Sequence, residues 1–553
     1  MDILFFSIFT NFLYYCSGKL VLSTNKSDFN SQFYVYLLGL IFVSFISLSL
    51  NFFTKLSPAI NSFVYLLIIA IFLFKKKFNF SRDDVKFLLI TSIITFLLII
   101  FSNVNRPDAG LYHLPFISII NEHKIIFGIS NIHFRFGHTS ILQYLSAINN
   151  NLLFKENGIS IPLASIVSIF YIYFFYDVWR VIKKKDEIDI SKVFSLFILI
   201  YISYKVNRYS SFGNDAVPHL TFFYLISYFL KKKFKEINFN KVLLISVFIF
   251  INKTTLGLVF IITIITFFIK ENFNLVKILK VTFSFPAILL YLWLLKNIII
   301  SGCIIFPMKF TCINSLPWMD NTKVVKAYTE SQAWSKGWPD RTNKNISMEE
   351  FNENFNWIEA WNNKHLNYIL KIIIPYIIIL TIITFSLKQN LINSSKKNRD
   401  FNKRFLLLIS TSFLGSVSFF LIFPIYRYGY SFIITLICLF FIFIIKDNFL
   451  SKKKVNLFKF FFIFSLIIFL SKQLQKIYDN YENDKWPNIY TLNKNKIINK
   501  KNKIEIEENF YYYQSINGDN LCMYSLSPCT SYSVKKNINH SIKLGYSFLT
   551  LKK

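Results

Sequence analysis

Several signatures that would settle a function quickly are missing from this chain. There is no HExxH run, and His113, His123, His133 and His138 follow one another at ten, ten and five residues, which matches no zinc site. No internal repeat and no matching pair of Gly/Pro-broken helices is visible, which speaks against a secondary transporter. Acid is scarce: 30 Asp and Glu stand against 62 Lys and Arg, a net charge of +32. No aromatic-interleaved basic groove accompanies that charge, so no nucleic acid is expected as a partner. The first apolar run, Ile3 to Tyr15, has neither a basic flank nor a small-residue cleavage site, and is expected to be retained.

What the chain does have is hydrocarbon. Its 553 residues are 54% hydrophobic and include 66 Phe, with mean hydropathy +0.43. A soluble protein of this size lacks the interior to hide so much apolar surface. Fourteen apolar runs can be placed, many near the length of a membrane-crossing helix. They fall at about 3–18, 32–52, 59–74, 87–102, 160–177, 191–204 and 216–230, then 242–251, 254–269, 281–300, 367–387, 405–423, 431–446 and 457–471. This pattern predicts an all-α polytopic membrane protein with about 12–14 transmembrane helices over residues 1–471. A small α/β or β-rich extracytoplasmic domain is expected at 472–553.

Charge sets the expected topology. The clusters Lys75 to Arg82, Arg180 to Lys185, Lys231 to Lys233, Lys270 to Lys280, Lys396 to Arg404 and Lys452 to Lys454 share one side if the runs alternate. That side should be cytoplasmic. Reading 242–269 as one bent span would break the agreement, so two short helices are expected there. The other side receives loop 103–159, residues 205–215, the Asn252-Lys253-Thr254 turn, loop 301–366, the Tyr426-Arg427-Tyr428-Gly429 loop and the tail. Cys303 with Cys312, and Cys522 with Cys529, are local pairs on that outer face, where an oxidising compartment permits disulfides. Cys16 and Cys438 lie in apolar runs.

Residues 103–140 concentrate ionisable groups between apolar segments: Arg106, Asp108, Glu122 and Arg135 beside four of the seven histidines. Such a stretch is costly near a bilayer unless it functions. Over 112–124, Leu114, Phe116, Ile117, Ile119 and Ile120 share a helical face, which predicts a helix lying on the membrane surface, apolar side down. Gly128 ends it, and Gly137-His138-Thr139-Ser140 opens a second helix, Ile141 to Ile148. Thr139 and Ser140 either cap that helix or help hold an anion with Arg135 and His138. Arg135 has an ion pair, a cation–π contact or a phosphate contact open to it. Asp215 is a second carboxylate or a helix cap. Lys253 pairs with acid or phosphate unless its turn is simply wet. His219, Arg208, Lys296 and Arg427 complete the available polar stock. Loop 301–366 holds Trp318, Trp334, Trp338, Trp357 and Trp361, suited to an interface or to stacking on a sugar.

The aspartate in the first large outer loop, the helix after it, about a dozen spans, a later large loop and a C-terminal tail resemble the GT-C class of integral-membrane glycosyltransferases. More narrowly, Asp108-Ala-Gly-Leu-Tyr-His113-Leu-Pro115 with Asn131-Ile-His-Phe-Arg135-Phe-Gly-His138-Thr-Ser140 resembles a group of bacterial envelope proteins. That group also carries the Ser301-Gly302-Cys303…Phe306-Pro307 and Cys522…Ser527-Pro528-Cys529 elements. The resemblance implies transfer of a sugar from a polyprenyl-phosphate-linked donor to a glycan, lipid or protein acceptor on the non-cytoplasmic face. It makes Asp108, with His113, the candidate catalytic pair. Arg135, His138, Asp215, His219, Lys253 and Arg427 become candidate substrate contacts. Some GT-C enzymes carry a second acid beside the aspartate; here Pro107 and Ala109 flank it. A divalent metal ion bridging Asp108 and a substrate phosphate is an optional cofactor. A polymerase or flippase for lipid-linked oligosaccharide, and a small-solute transporter, are the alternatives.

Overall fold

The computed structural model describes residues 2–22, 29–75, 80–102, 108–205, 213–271, 275–387, 399–445, 454–480, 501–507, 510–515, 521–531, 534 and 538–552. All fourteen apolar runs are helical. The first four are α1 (Asp2–Val21), α2 (Phe29–Phe53), α3 (Pro58–Phe74) and α4 (Arg82–Ile99). Two short helices follow, α5 (Leu114–Glu122) and α6 (Ile141–Ile148). Next come α7 (Ile161–Ile182), α8 (Ile190–Lys205), α9 (Ala216–Lys231), α10 (Phe239–Asn252), α11 (Val259–Glu271), α12 (Leu275–Thr282) and α13 (Phe285–Ser301). The large loop contributes α14 (Asn321–Ser335), α15 (Met348–Asn352) and α16 (Ile358–Trp361). The remainder are α17 (Asn367–Leu387), α18 (Arg399–Ile422), α19 (Tyr426–Ile445) and α20 (Val455–Asn480).

Local chemistry explains several boundaries. Ser57 caps α3, with Pro58 in its first turn, where a missing N–H costs nothing. Ser81 and Asp84 close a capping box at the start of α4. Gly302, at φ 78°, ends α13 in the left-handed region that glycine tolerates best.

Six segments among the described residues are long and apolar enough to cross a membrane: Phe29–Phe53, Lys155–Ile182, Ile358–Leu387, Asp400–Ile422, Tyr426–Ile445 and Val455–Asn480. The pair α12 and α13, bent by 57°, raises the number to 7. The chain is a helical membrane protein.

Contacts between helix ends show how the runs alternate. At one end Lys19 faces Asp84 at 3.8 Å, Lys231 pairs with Asp177, Arg404 donates to the Phe229 carbonyl and Lys270 to that of Ile237. At the other end Asn51 reaches the His123 carbonyl at 3.1 Å, and Trp361 Nε1 donates to the Pro424 carbonyl at 2.6 Å. Lys476 donates to the Leu97 carbonyl there at 2.8 Å. The expected pair of short helices at 242–269 is present as an antiparallel hairpin, pinned by Thr263 Oγ1 donating to Ser246 Oγ at 2.7 Å.

The tail starts later than the expected boundary at 471, because α20 continues to Asn480. The regular elements of its described part are strands: β1 (Lys501–Glu507), β2 (Phe510–Ser515) and β3 (Cys529–Thr530) form one sheet, and β4 (Ile538–Lys543) with β5 (Tyr546–Leu551) forms another. β1 pairs antiparallel with the tyrosine-rich β2, with Lys503 and Glu505 exposed. Cys522 to Ser525 is irregular chain, held by the Cys522–Cys529 disulfide. Cys303 and Cys312 are also bonded, while Cys16 and Cys438 are free and buried.

α1 and α2 cross where both carry glycine. A Cβ on Gly18 would overlap the Val35 carbonyl, and one on Gly39 that of Tyr14. Small residues permit this backbone approach in membranes. Gly39→Leu should therefore lower the unfolding free energy in detergent by about 1–3 kcal/mol, while Phe53→Ser, at an exposed site, should leave the melting midpoint unchanged.

Candidate functional site

Asp108 opens a π-helical turn, Ala109–His113, that runs directly into α5. Arg135 lies in a 3₁₀ turn, Phe134–Gly137, whose leading residue His133 accepts the Arg135 backbone N–H through Nδ1 at 3.1 Å. Arg427 sits in the first turn of α19. These elements converge: Arg427 Nη1 donates to Asp108 Oδ2 at 2.6 Å, and Arg135 Nη1 to Asp108 Oδ1 at 3.3 Å. Both carboxylate oxygens are thus in guanidinium contact. The side chains keep 24% exposure for Asp108, 27% for Arg135 and 42% for Arg427, so the cluster remains reachable.

A second ion pair adjoins it. Lys253, at the end of α10, pairs with Asp215, donates to the Arg427 carbonyl at 3.3 Å and lies over the Tyr428 ring at 4.1 Å. Among the described residues three cations therefore face two acids, leaving one positive charge in excess. Arg427 Nε is buried without a hydrogen-bond partner among the described residues. Burial alone would push the Asp108 carboxyl up, but Arg427 and Arg135 outweigh it and hold it below the ordinary carboxylate range. Asp215 responds in the same way, its burial overcome by Lys253 and then Arg427, and sits at about 2.

The structure resolves the alternatives left open by sequence. Asp215 makes no capping bond to α9; its partner is Lys253. Ser140 caps α6, accepting from Leu142 N at 3.2 Å, and its own N–H donates to Gln143 Oε1 at 2.9 Å. Thr139 Oγ1 accepts from the fully buried Lys296 Nζ, which also lies 4.6 Å over the Trp293 ring. Arg135 combines its ion pair with a cation–π contact, 5.3 Å from the Tyr112 ring. His138 stands edge-on to Phe306 at 5.1 Å, with Nε2 buried and without a hydrogen-bond partner among the described residues. Arg106 and Arg208 lie outside the described residues.

Two expectations need correction. His219 is no substrate contact: it is buried, its Nδ1 faces Ser431 Oγ at 2.7 Å and its Nε2 the Arg427 carbonyl at 3.0 Å. It positions the Arg427 backbone instead. Helix α5 does not rest on lipid, because Leu114 to Asn121 are all buried. Asn121 donates to the Leu56 and Ala147 carbonyls on one side. On the other, Ser118 bonds the Ser525 carbonyl and Glu122 accepts from Ser527 N at 2.9 Å. Most loop tryptophans are consumed by packing: Trp318 donates to the Ile298 carbonyl at 2.9 Å, Trp357 is buried, Trp361 bonds Pro424, and Arg341 covers Trp338 at 3.7 Å. Trp334, 51% exposed, is the one still open to a sugar face.

The residues do not fit a resident divalent cation. Both Asp108 oxygens face guanidinium, Asp215 faces ammonium, and among the described residues no three His, Cys, Asp or Glu gather as ligands.

Sequence reading overlooked Gln143, Tyr112, Tyr428 and Asn252. Asn252 accepts from Ser140 Oγ at 2.9 Å through its side chain and from Asn214 at 2.8 Å through its carbonyl, joining α6, α10 and the loop before α9. The Ser140-x-x-Gln143 spacing is a capping-box signal that would have found Gln143.

The family model described as "Domain of unknown function (DUF8201)" matches residues 1–434. The chain belongs to this family. The DUF8201 span includes Asp108, Arg135, Asp215, Lys253 and Arg427, and stops before α20 and the strands. No curated protein and no solved structure matches.

Truncating Arg427 leaves Asp108 with only the longer Arg135 contact and leaves Asp215 with Lys253 as its nearby cation. Arg427→Ala should cost roughly 1.5–3 kcal/mol in detergent unfolding, the range for hydrogen bonds to charged groups. The histidines predict a pH slope. Burial lowers His113 to about 4, and burial, then Arg135, lowers His138 to about 3, both from 6.5. Stability should be complete above about 6.5, where the unfolded histidines are neutral, and fall as pH drops toward 4. His138→Gln should flatten that fall in melting curves.

Proposed function

We propose that this chain is a GT-C-type membrane glycosyltransferase acting at the non-cytoplasmic face of a bacterial plasma membrane. In this reading about 12–14 of its helices cross the bilayer, with the lysine-rich end in the cytoplasm. The donor is a polyprenyl-phosphate-linked sugar and the acceptor an envelope glycan, lipid or protein. One observation carries the reading: two arginines from distant elements clasp a single partly exposed aspartate at the end of the bundle opposite the lysine clusters, Arg427 lying 319 residues from it.

That arrangement suits displacement at an anomeric carbon. A lipid phosphate docking beside Asp108 competes for Arg135 and Arg427, which steady the charge developing on the departing phosphate. As the arginines turn to phosphate, Asp108 loses counter-charge and gains basicity. It then takes the acceptor hydroxyl proton while the acceptor oxygen bonds C1 and the C1–O bond to phosphate breaks. Polyprenyl phosphate leaves. Lys253 holds Asp215 and the Arg427 backbone in place during this exchange.

Purified protein in liposomes, supplied with lipid-linked sugar and acceptor, tests the reading. Asp108→Asn should lower transfer by about 10²–10⁴-fold, and Arg427→Ala by about 10²–10³-fold, with Arg427→Lys intermediate because a point charge replaces a fork. A flippase would survive Asp108→Asn, so undiminished surface glycan in that mutant would overturn the transferase.

A further inference from the structure

His113 is not the proton acceptor that its place beside Asp108 suggests. Its Nδ1 faces Gln143 Nε2 at 3.2 Å. The identity of that amide atom is fixed from the other side, since Gln143 Oε1 receives the Ser140 backbone N–H at 2.9 Å. A backbone N–H only donates, so oxygen must face Ser140 and the NH₂ group must face His113. The NH₂ group also only donates, so Nδ1 must offer its lone pair. A neutral ring then carries its proton on Nε2.

Ionising the ring would set an N–H against an N–H. Burial and this mismatch both oppose the imidazolium, in keeping with a value lowered to about 4. Ser140 is itself anchored by its hydroxyl on Asn252, so the lock extends through the capping box of α6 into the end of α10. Nε2 has no partner among the described residues. It lies 4.0 Å from where a Cβ on Gly213 would stand, in the loop that leads to Asp215. His113 also couples electrostatically to Asp108, Asp215, Arg427 and Arg135, which places it within the charged cluster.

We infer that Gln143 is a positioning residue that locks His113 as a neutral, Nε2-protonated donor, aimed at an acceptor oxygen of the anionic ligand held by Arg135 and Arg427. The ligand half of this rests on the proposed function; the tautomer does not. A neutral donor suits a site already carrying excess cation, because it binds oxygen without drawing a proton from solvent.

Gln143→Glu is close to isosteric and reverses the lock. The carboxylate still accepts the Ser140 N–H, but its other oxygen demands a proton on Nδ1. Histidine-¹⁵N-labelled protein in detergent micelles reads this directly. Wild type should show His113 with Nε2 protonated, Nδ1 bare and no titration between pH 5 and 8. Gln143→Glu should show a protonated Nδ1 and a titration moved upward by more than one pH unit. Farnesyl phosphate should shift the wild-type Nε2–H resonance, and His113→Gln, which keeps an N–H near that position, should bind it within about threefold of wild type, against a loss above tenfold for His113→Phe. Wild-type His113 protonated on Nδ1, or titrating near 6.5, overturns the inference. So does an Nε2–H resonance unmoved by bound farnesyl phosphate. Failure of farnesyl phosphate to bind at all overturns the proposed function with the donor role, while the ligand-free spectra still decide the lock.

Discussion

The site depends on Asp108 being shared by two guanidiniums that no single element could supply. Arg135 arrives on a tight turn after α5, and Arg427 on the first turn of α19. Neither could stay near the aspartate if the spans between them were displaced, so the ion cluster reports on the packing of the whole bundle. The dependence also runs inward. Two like-charged arginines are tolerable at close quarters because a carboxylate lies between them, and that carboxylate stays ionised because they are there.

Around this centre, backbone groups are held as firmly as side chains. His219 and Lys253 both bond the Arg427 carbonyl, fixing where the guanidinium starts from. The Asn252 bonds tie the start of α6 to the end of α10 and the loop before α9. Pre-organisation of this kind lets a charged site act without rearranging its own dipoles.

The helices were legible because each is a run of apolar residues bounded by charge, and α6 was placed to the residue by the turn that opens it. The 242–269 hairpin followed from charge parity alone, before Ser246 and Thr263 could be seen to meet. Asp108, Arg135, Lys253 and Arg427 stood out because each is an ionisable group at the rim of hydrocarbon. The surroundings of α5 were not legible. Its apolar stripe looks the same whether lipid or protein covers it, and the cover comes from Ser525 and Ser527, some four hundred residues away in sequence. The tryptophans stayed ambiguous for a similar reason, since ring count does not reveal which faces are already spent. His219 carried no local sign that both ring nitrogens were engaged by α19.

One joint has a consequence for how the molecule is made. Phe127 exchanges backbone hydrogen bonds with β5, its N–H reaching the Ser547 carbonyl and its carbonyl receiving Leu549 N, both at 2.9 Å, and Asn131 bonds the Leu549 carbonyl 418 residues away. The stretch between Asp108 and Arg135 therefore gains part of its frame only after β5, some four hundred residues later in the chain, has been synthesised. Biogenesis is thus ordered by geometry: a chain halted during translation holds the aspartate but not its finished surroundings.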